Sequence, residues 1–122
     1  MRIFITGASG FVGSAITRRL TKSGEHTLIA MSRSTESDAK STALGATPVR
    51  CELGGVQAAH VSRCDTIIHN TACVQPWGRR ADFQRISVEG TRQLLAVARE
   101  AGVRRFVNMS SDAVSFAGQN PL

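Results

Sequence analysis

Three glycines at three-residue intervals follow a short apolar run near the start of the chain. The stretch reads FITGASGFVGSA, and the glycines are Gly7, Gly10 and Gly13. The run 2–6 is typical of a strand buried on both faces, and residues 10–24 have the periodicity of a helix. Glycines placed between a strand and a helix allow a sharp turn, close approach of a ligand and tight helix packing. The helix N-terminus then offers free N–H groups to the turn, which suits a dinucleotide pyrophosphate.

Strand-like and helix-like segments alternate along the rest of the chain. The further predicted strands are 26–33, 47–53, 65–72 and 104–111. The last is apolar enough to be a buried strand, but no sixth strand follows to cover it, so we expect an open apolar edge here. The further predicted helices are 35–45, which is weak, and 81–101, while 54–64 is a short helix or a loop. This alternation predicts an α/β fold with a doubly wound parallel sheet and right-handed crossovers. Ligands of such sheets bind at the carboxyl ends of the strands, beside the first strand.

Two of the predicted helices carry a clear apolar face. In helix 10–24 the stripe is Val12, Ala15, Ile16 and Leu20. In helix 81–101 it is Phe83, Ile86, Gly90, Leu94, Val97 and Ala101, and Gly102 ends the helix. A glycine within an apolar helix face costs helix stability, so we expect Gly90 to allow close packing on the sheet.

Composition excludes several classes of protein. The 122 residues, 42% of them hydrophobic, predict a single globular domain, and no apolar run is long enough for a membrane helix. The net charge is +6, but the arginines are scattered and not interleaved with aromatic residues, which argues against specific nucleic-acid binding. The cysteines are Cys51, Cys64 and Cys73, without a CxxC pair. We therefore expect no disulfide framework, no metal site and a reducing, cytoplasmic location.

The end of the second predicted strand indicates which dinucleotide is bound. An NAD site usually has Asp or Glu at this point, where it accepts the ribose hydroxyls. Here the strand ends AMSRS, with Arg33 flanked by Ser32 and Ser34. A guanidinium pairs well with a 2′-phosphate, so the sequence favours NADP over NAD. Two alternatives stay open: Arg33 is a solvated surface residue, or Glu36 takes the acidic role.

Four stretches of the sequence resemble one known family. TGASGFVGSA is similar to a TGxxGxxG cofactor loop, CEL to an Asp-Leu pair, and DTIIHNTA to an Asp-x-x-x-His-x-Ala-Ala segment. SVEGTRQLLAVAREAGVRRFVNMSSDAVSF resembles the helix and strand that precede the catalytic tyrosine. On these stretches the chain is identified as a member of the short-chain dehydrogenase/reductases, in the extended or atypical branch of epimerases, dehydratases and reductases. The resemblance implies the N-terminal part of a Rossmann-type, NAD(P)-binding domain.

The resemblance also implies site residues. The cofactor-binding set is Gly7, Ser9, Gly10, Phe11, Val12, Arg33, Ser34, Glu52, Leu53, Asn70, Thr71 and Ala72. Of these, Glu52 and Leu53 would lie near the adenine, and residues 70–72 would lead to the nicotinamide ribose. Ser111 matches the family's catalytic Ser/Thr, whose hydroxyl polarises a substrate carbonyl.

The chain departs from the family pattern at several points. Ser87 stands where the family has Asn, and Ser115 where it has an aromatic residue. The family's Tyr-x-x-x-Lys pair is missing, because the chain has no tyrosine and its only lysines are Lys22 and Lys40. We therefore expect the cofactor-binding part of a longer oxidoreductase or epimerase-like enzyme acting on a small carbonyl or alcohol, and we expect it to be inactive alone. The resemblance also implies a homodimer through helix 81–101. The alternatives are a non-catalytic NADP-binding sensor and a structural fragment without a ligand.

Overall fold

Five parallel strands form the central sheet of the part of the chain that the structure describes. The structure is a computed structural model that describes residues 1–70 and 85–109, except for the side chains of residues 85 and 86. The strands are β1 (Arg2–Thr6), β2 (Thr27–Ser32), β3 (Thr47–Arg50), β4 (Thr66–His69) and β5 (Arg105–Asn108). Their order is β3-β2-β1-β4-β5. This is the predicted Rossmann-type order, in which the chain leaves β1 toward one edge and returns to its other side at β4.

Short helices connect these strands. They are α1 (Phe11–Lys22), α2 (Thr35–Ala43) and α3 (Gly90–Ala101), with a 3-10 turn at Ala58–Val61 and a π-helical turn at Arg85–Glu89 leading into α3. None of the helices in the described ranges is long and apolar enough to cross a membrane. The predicted strand 47–53 is too long, because the chain leaves the sheet after Arg50.

Side chains along the strands alternate between two apolar layers. Phe4, Ile29 and Ile67 belong to a layer with the 3-10 turn and α3. Ile3, Ile5 and Leu28 belong to the opposite layer, against which Ile16 and Leu20 of α1 pack. Because successive side chains of a strand point to opposite faces, one continuous apolar run supplies both layers.

The buried face of α1 differs from the prediction. Val12 is 49% exposed and Ala15 is exposed, while Gly13 and Thr17 are buried. The hydroxyl of Thr17 donates a hydrogen bond of 2.7 Å to the carbonyl oxygen of Gly13, so it is buried without an unpaired polar group. The buried face of α1 thus contains a residue without a side chain, Gly13, and a threonine whose hydroxyl is hydrogen-bonded within the helix. These two residues allow α1 to lie close to the turn after β1.

The apolar face of α3 is confirmed within the described residues. Gly90, Leu94 and Val97 are buried and Ala101 is partly buried, while Phe83 and the side chain of Ile86 lie outside the described part. The expected reason for Gly90 is wrong. A β-carbon there would lie 2.5 Å from Cγ of Leu53, so the close neighbour is the loop after β3 and not the sheet.

The end of α3 is also as predicted. Gly102 has φ of 76° and ends the helix, and its N–H bonds to the carbonyl oxygens of Ala98 and Arg99. This left-handed backbone conformation is one that glycine adopts without strain.

The fifth strand is an exposed apolar edge within the described residues, as expected. Val107 is 45% exposed and Met109 just after it is 43% exposed. Among the described strands, β5 pairs only with β4, so it forms an edge of the sheet. The apolar composition of a strand indicates that a sheet will form, whereas its burial depends on what packs against it.

Neighbouring leucines of α3 provide a matched test of this packing. Leu94 is fully buried, whereas Leu95 is 46% exposed. We expect Leu94→Ala to lower the free energy of unfolding by about 2–5 kcal/mol, through lost burial and the cavity it leaves. Leu95→Ala should change it by less than about 0.5 kcal/mol. Urea unfolding of both variants checks this, and equal losses would contradict the described orientation of α3.

Candidate functional site

The turn after β1 explains the spacing of the three glycines. Gly7 has φ of 69°, a conformation that side chains with a β-carbon rarely adopt. The N–H of Gly10 closes the turn by donating to the carbonyl oxygen of Gly7 over 3.1 Å. A β-carbon on Gly13 would lie 1.8 Å from that same oxygen. The first glycine therefore shapes the turn, and the third allows α1 to lie directly against it.

The N-terminus of α1 faces this turn with its backbone donors uncapped. Gly10 is the N-cap residue in an extended conformation, and no side chain hydrogen-bonds to cap the helix within the described residues. The first turn of α1 contains no acidic residue. Free N–H groups and the positive end of the helix dipole therefore favour an anion at this point.

A cavity of about 380 Å³ opens at this end of the sheet. Seven of the residues predicted to bind a cofactor line it together: Gly7, Ser9, Gly10, Phe11, Val12, Arg33 and Asn70. Met31 and Ser37 also line it and were missed by sequence reasoning, since neither belongs to a recognisable motif. Phe11 is 95% exposed, so an apolar ring stands at the rim of the cavity.

The structure places the other predicted site residues elsewhere. The hydroxyl of Ser34 accepts a hydrogen bond of 3.1 Å from the N–H of Ser37 and caps α2. Leu53 packs beside Gly90, and Glu52 lines a neighbouring cavity. Predicted residues outside the described part are Thr71, Ala72 and Ser111.

Arg33 is the exposed cation of the first cavity. Within the described residues its guanidinium has no hydrogen bond or ion pair, and it stands at the end of β2. The alternative acidic residue, Glu36, pairs with Lys40 one turn along α2, over 3.2 Å. The residue at the expected position is therefore a cation open to a ligand, while the nearby acid faces a lysine.

A buried histidine joins three elements beneath the cavity. His69 is 3% exposed, and its Nδ1 and Nε2 lie 2.8 Å and 2.9 Å from the hydroxyls of Thr6 and Thr91. The same hydroxyl of Thr6 accepts a hydrogen bond of 2.9 Å from the N–H of Asn70. The ends of β1 and β4 and the first turn of α3 are thereby held together. This histidine lies in the DTIIHNTA segment, whose sequence does not indicate these two contacts.

Asn70 presents an unused donor at this point. Its side-chain Nδ2 is buried and has no hydrogen-bond partner among the described residues. Since Asn70 lines the first cavity, a ligand with an acceptor atom would satisfy that amide.

The two described cysteines are free thiols with raised pKa values. Burial raises the pKa of Cys51 to about 11, and it also raises the pKa of Cys64. Both thiols are therefore protonated at neutral pH.

Comparison with known proteins assigns a family to this arrangement. The model of the NAD dependent epimerase/dehydratase family matches residues 3–121. The chain is 35% identical over 124 residues to a 4-hydroxy-2-methyl-3-oxo-4-farnesyl-3,4-dihydroquinoline-1-oxide ketoreductase of Stigmatella aurantiaca, covering 98% of this chain and 36% of that protein. It is 31% identical over 124 residues to a 2-alkyl-3-oxoalkanoate reductase of Stenotrophomonas maltophilia, and the match covers 100% of this chain and 37% of that protein. The chain thus spans a little over a third of the length of these relatives.

Solved structures show the same fold. A Bacillus halodurans protein with a provisional NAD-dependent epimerase/dehydratase name superposes with a TM-score of 0.86 at 24% identity, covering 100% of this chain and 56% of that one. Yeast methylglyoxal/isovaleraldehyde reductase Gre2, complexed with NADPH, superposes with a TM-score of 0.78 at 22% identity. The superposition covers 93% of this chain and 38% of that one. The likeness extends over the sheet and the helices around it.

The close approach of α1 to the turn can be tested with two glycines. Gly13→Ala should lower the free energy of unfolding by about 2–3 kcal/mol, because its β-carbon would collide with the backbone of Gly7 and Ala8. Gly10→Ala should cost less than about 1 kcal/mol, since its β-carbon would lie 3.4 Å from the carbonyl oxygen of Gly7. Urea unfolding of both variants is the measurement. Equal stability of the two would contradict the described contact.

The buried histidine predicts a dependence of stability on pH. Burial lowers the pKa of His69, so the unfolded chain binds a proton more readily than the folded chain. Stability is then fully present above the unfolded pKa of about 6.5 and falls as the pH drops from there toward the folded pKa, by up to about 1.4 kcal/mol per pH unit.

The measurement is urea unfolding of wild type and His69→Gln between pH 7.5 and 5.5, a range that stays above the titration of ordinary carboxylates. We expect wild type to lose stability across this range and His69→Gln to lose less. Identical slopes would show that His69 does not carry the effect.

Proposed function

Since the chain belongs to the NAD dependent epimerase/dehydratase family, we propose that the cavity at the carboxyl ends of β1, β2 and β4 binds NADP(H). The observation that carries this proposal is the meeting of an uncapped helix N-terminus with a free guanidinium in one cavity. Both features attract phosphate, and they stand at the two places where a dinucleotide phosphate needs them.

The pyrophosphate would lie over the turn after β1. Gly7 and Gly10 line the cavity without a β-carbon, and no side chain among the described residues caps the N–H groups of the first turn of α1. Ser9, Phe11 and Val12 would border the pyrophosphate along the rim. A cradle that any β-carbon would narrow fits a group bound by backbone donors.

The 2′-phosphate would meet Arg33. The guanidinium of Arg33 is exposed and has no hydrogen bond or ion pair among the described residues, so it breaks no such contact when a ligand binds. A guanidinium forms charge-assisted hydrogen bonds with phosphate oxygens. Ser34 stands beside it as the cap of α2. This arrangement favours NADP over NAD, in which the same ribose carries only hydroxyls.

The remaining predicted residues extend the site in two directions. Glu52 and Leu53 would lie toward the adenine, in the loop that follows β3. Asn70 would offer its buried amide to the cofactor on the nicotinamide side, followed along the chain by Thr71 and Ala72. The cofactor supplies hydride chemistry when bound, and these residues would position it.

We propose that the protein to which this chain contributes transfers hydride between a nicotinamide and a small carbonyl or alcohol. The relatives' names, a ketoreductase and a 2-alkyl-3-oxoalkanoate reductase, support this class of substrate. The hydroxyl of Ser111 would polarise the substrate carbonyl. The chain has no tyrosine to move the proton, so we expect it alone to bind cofactor without turnover. A homodimer through helix 81–101 stays a prediction.

Titration with NADPH and NADH by calorimetry tests the proposed function. We expect tighter binding of NADPH, and about a tenfold loss of NADPH affinity in Arg33→Ala with little change for NADH. Arg99→Ala is the matched control, because this exposed arginine lies in the last turn of α3 and does not line the cavity. Saturable binding without preference would leave a cofactor site and reject the role of Arg33. Binding of neither cofactor would reject the proposed function for this chain.

A further inference from the structure

A second cavity adjoins the first one. It has a volume of about 510 Å³ and is lined by Arg33, Arg50, Cys51, Glu52, Gly55 and His60. Arg33 lines both cavities, so the two spaces lie on either side of one residue. A ligand that extends from the turn after β1 toward the loop after β3 would pass this point with two arginines beside it.

The two arginines come from neighbouring strand ends. Arg50 is the last residue of β3, and its Cα pairs in register with that of Ser32, the last residue of β2. Arg33 follows Ser32 directly, and the N–H of Cys51 bonds to the carbonyl oxygen of Ser32 over 3.1 Å. The backbone of the sheet thus sets the spacing of the two guanidinium-bearing residues.

Arg50 is held in place by an acid, whereas Arg33 is not. The Nη2 of Arg50 donates a hydrogen bond to Oδ2 of Asp38, which lies in the first turn of α2. The hydroxyl of Ser32 and the guanidinium of Arg50 hold the pKa of Asp38 below its ordinary value, so this carboxyl is ionised at neutral pH. The contact engages one nitrogen of the guanidinium, and a guanidinium has five N–H donors in a planar fork. The side chain is 54% exposed, which leaves the rest of the fork accessible to a ligand.

Building on the proposed function, we propose that Arg50 is a second determinant of NADP specificity, which holds the 2′-phosphate together with Arg33. A phosphate monoester carries roughly −1.5 to −2 charges at neutral pH, more than one guanidinium neutralises. Arg50 is already held by Asp38, so it loses less freedom on binding a phosphate than an unpaired arginine does. Sequence reasoning missed Arg50 because the predicted strand ran on to residue 53, whereas β3 ends at Arg50 and places it at a strand end.

The test uses two probes that differ only in the 2′-phosphate, adenosine 2′,5′-bisphosphate and adenosine 5′-monophosphate, titrated by calorimetry. We expect Arg50→Gln to weaken the bisphosphate about tenfold and the monophosphate less than about twofold. Arg50→Lys, which keeps the charge but loses the fork, should fall between wild type and Arg50→Gln. Arg99→Gln is the control and should alter neither affinity.

A second comparison guards against a folding artefact. Arg50→Gln leaves the carboxylate of Asp38 without its partner, which is itself destabilising. Asp38→Asn and the double variant Asp38→Asn/Arg50→Gln both lack the carboxylate at residue 38 and differ only at residue 50. The double variant should bind the bisphosphate more weakly than Asp38→Asn, by less than about tenfold because Asp38 no longer holds Arg50, with the monophosphate unchanged.

The outcomes separate this inference from the proposed function. If Arg33→Ala abolishes the preference for the bisphosphate while the variants of Arg50 retain it, the inference is overturned and the proposed function stands. Equal losses for both probes in the variants of Arg50 would also overturn it, because the 2′-phosphate would then not be what Arg50 contacts. If wild type binds neither probe and neither cofactor, the proposed function itself fails.

Discussion

The contact between Gly13 and the carbonyl oxygen of Gly7 determines where the rest of the site can lie. A β-carbon at residue 13 would approach that oxygen to 1.8 Å, so α1 reaches this position only because the β-carbon is missing. The helix then begins directly over the carboxyl end of β1, which is the central strand of the sheet. The ends of β2 and β4 flank it and bring Arg33 and Asn70 to the same cavity. One close approach of two backbone segments thus assembles residues that lie far apart in the sequence.

Local pattern was sufficient to predict the sheet and the turn. The apolar run in β1 and the glycine spacing after it depend on rules of backbone geometry that act within a few residues. The strand order followed from the alternation of strands and helices, because right-handed crossovers leave few other topologies. The glycine loop residues, Arg33 and Asn70 came together as expected.

Properties that depend on neighbours in space were harder to predict. The exposure of Val107 depends on what packs beside β5, and that information is not in the strand itself. Val12 and Ala15 were expected to be buried, but Gly13 and Thr17 are the buried residues of α1. Gly13 has no side chain, and the hydroxyl of Thr17 is hydrogen-bonded within the helix, so α1 can approach more closely. Arg50 and His69 gain their roles from partners on other elements, Asp38 in one case and two threonines in the other.

The thiol of Cys51 gives the second cavity a chemical property of its own. Burial raises the pKa of this thiol to about 11, so it is protonated at neutral pH. The thiolate is the form that peroxides, disulfides and alkylating agents attack. A sulfur atom therefore lines the second cavity, yet it resists oxidation there. The cofactor site proposed above should accordingly be insensitive to the thiol redox state of its surroundings, even though the proposed cofactor is itself a redox carrier.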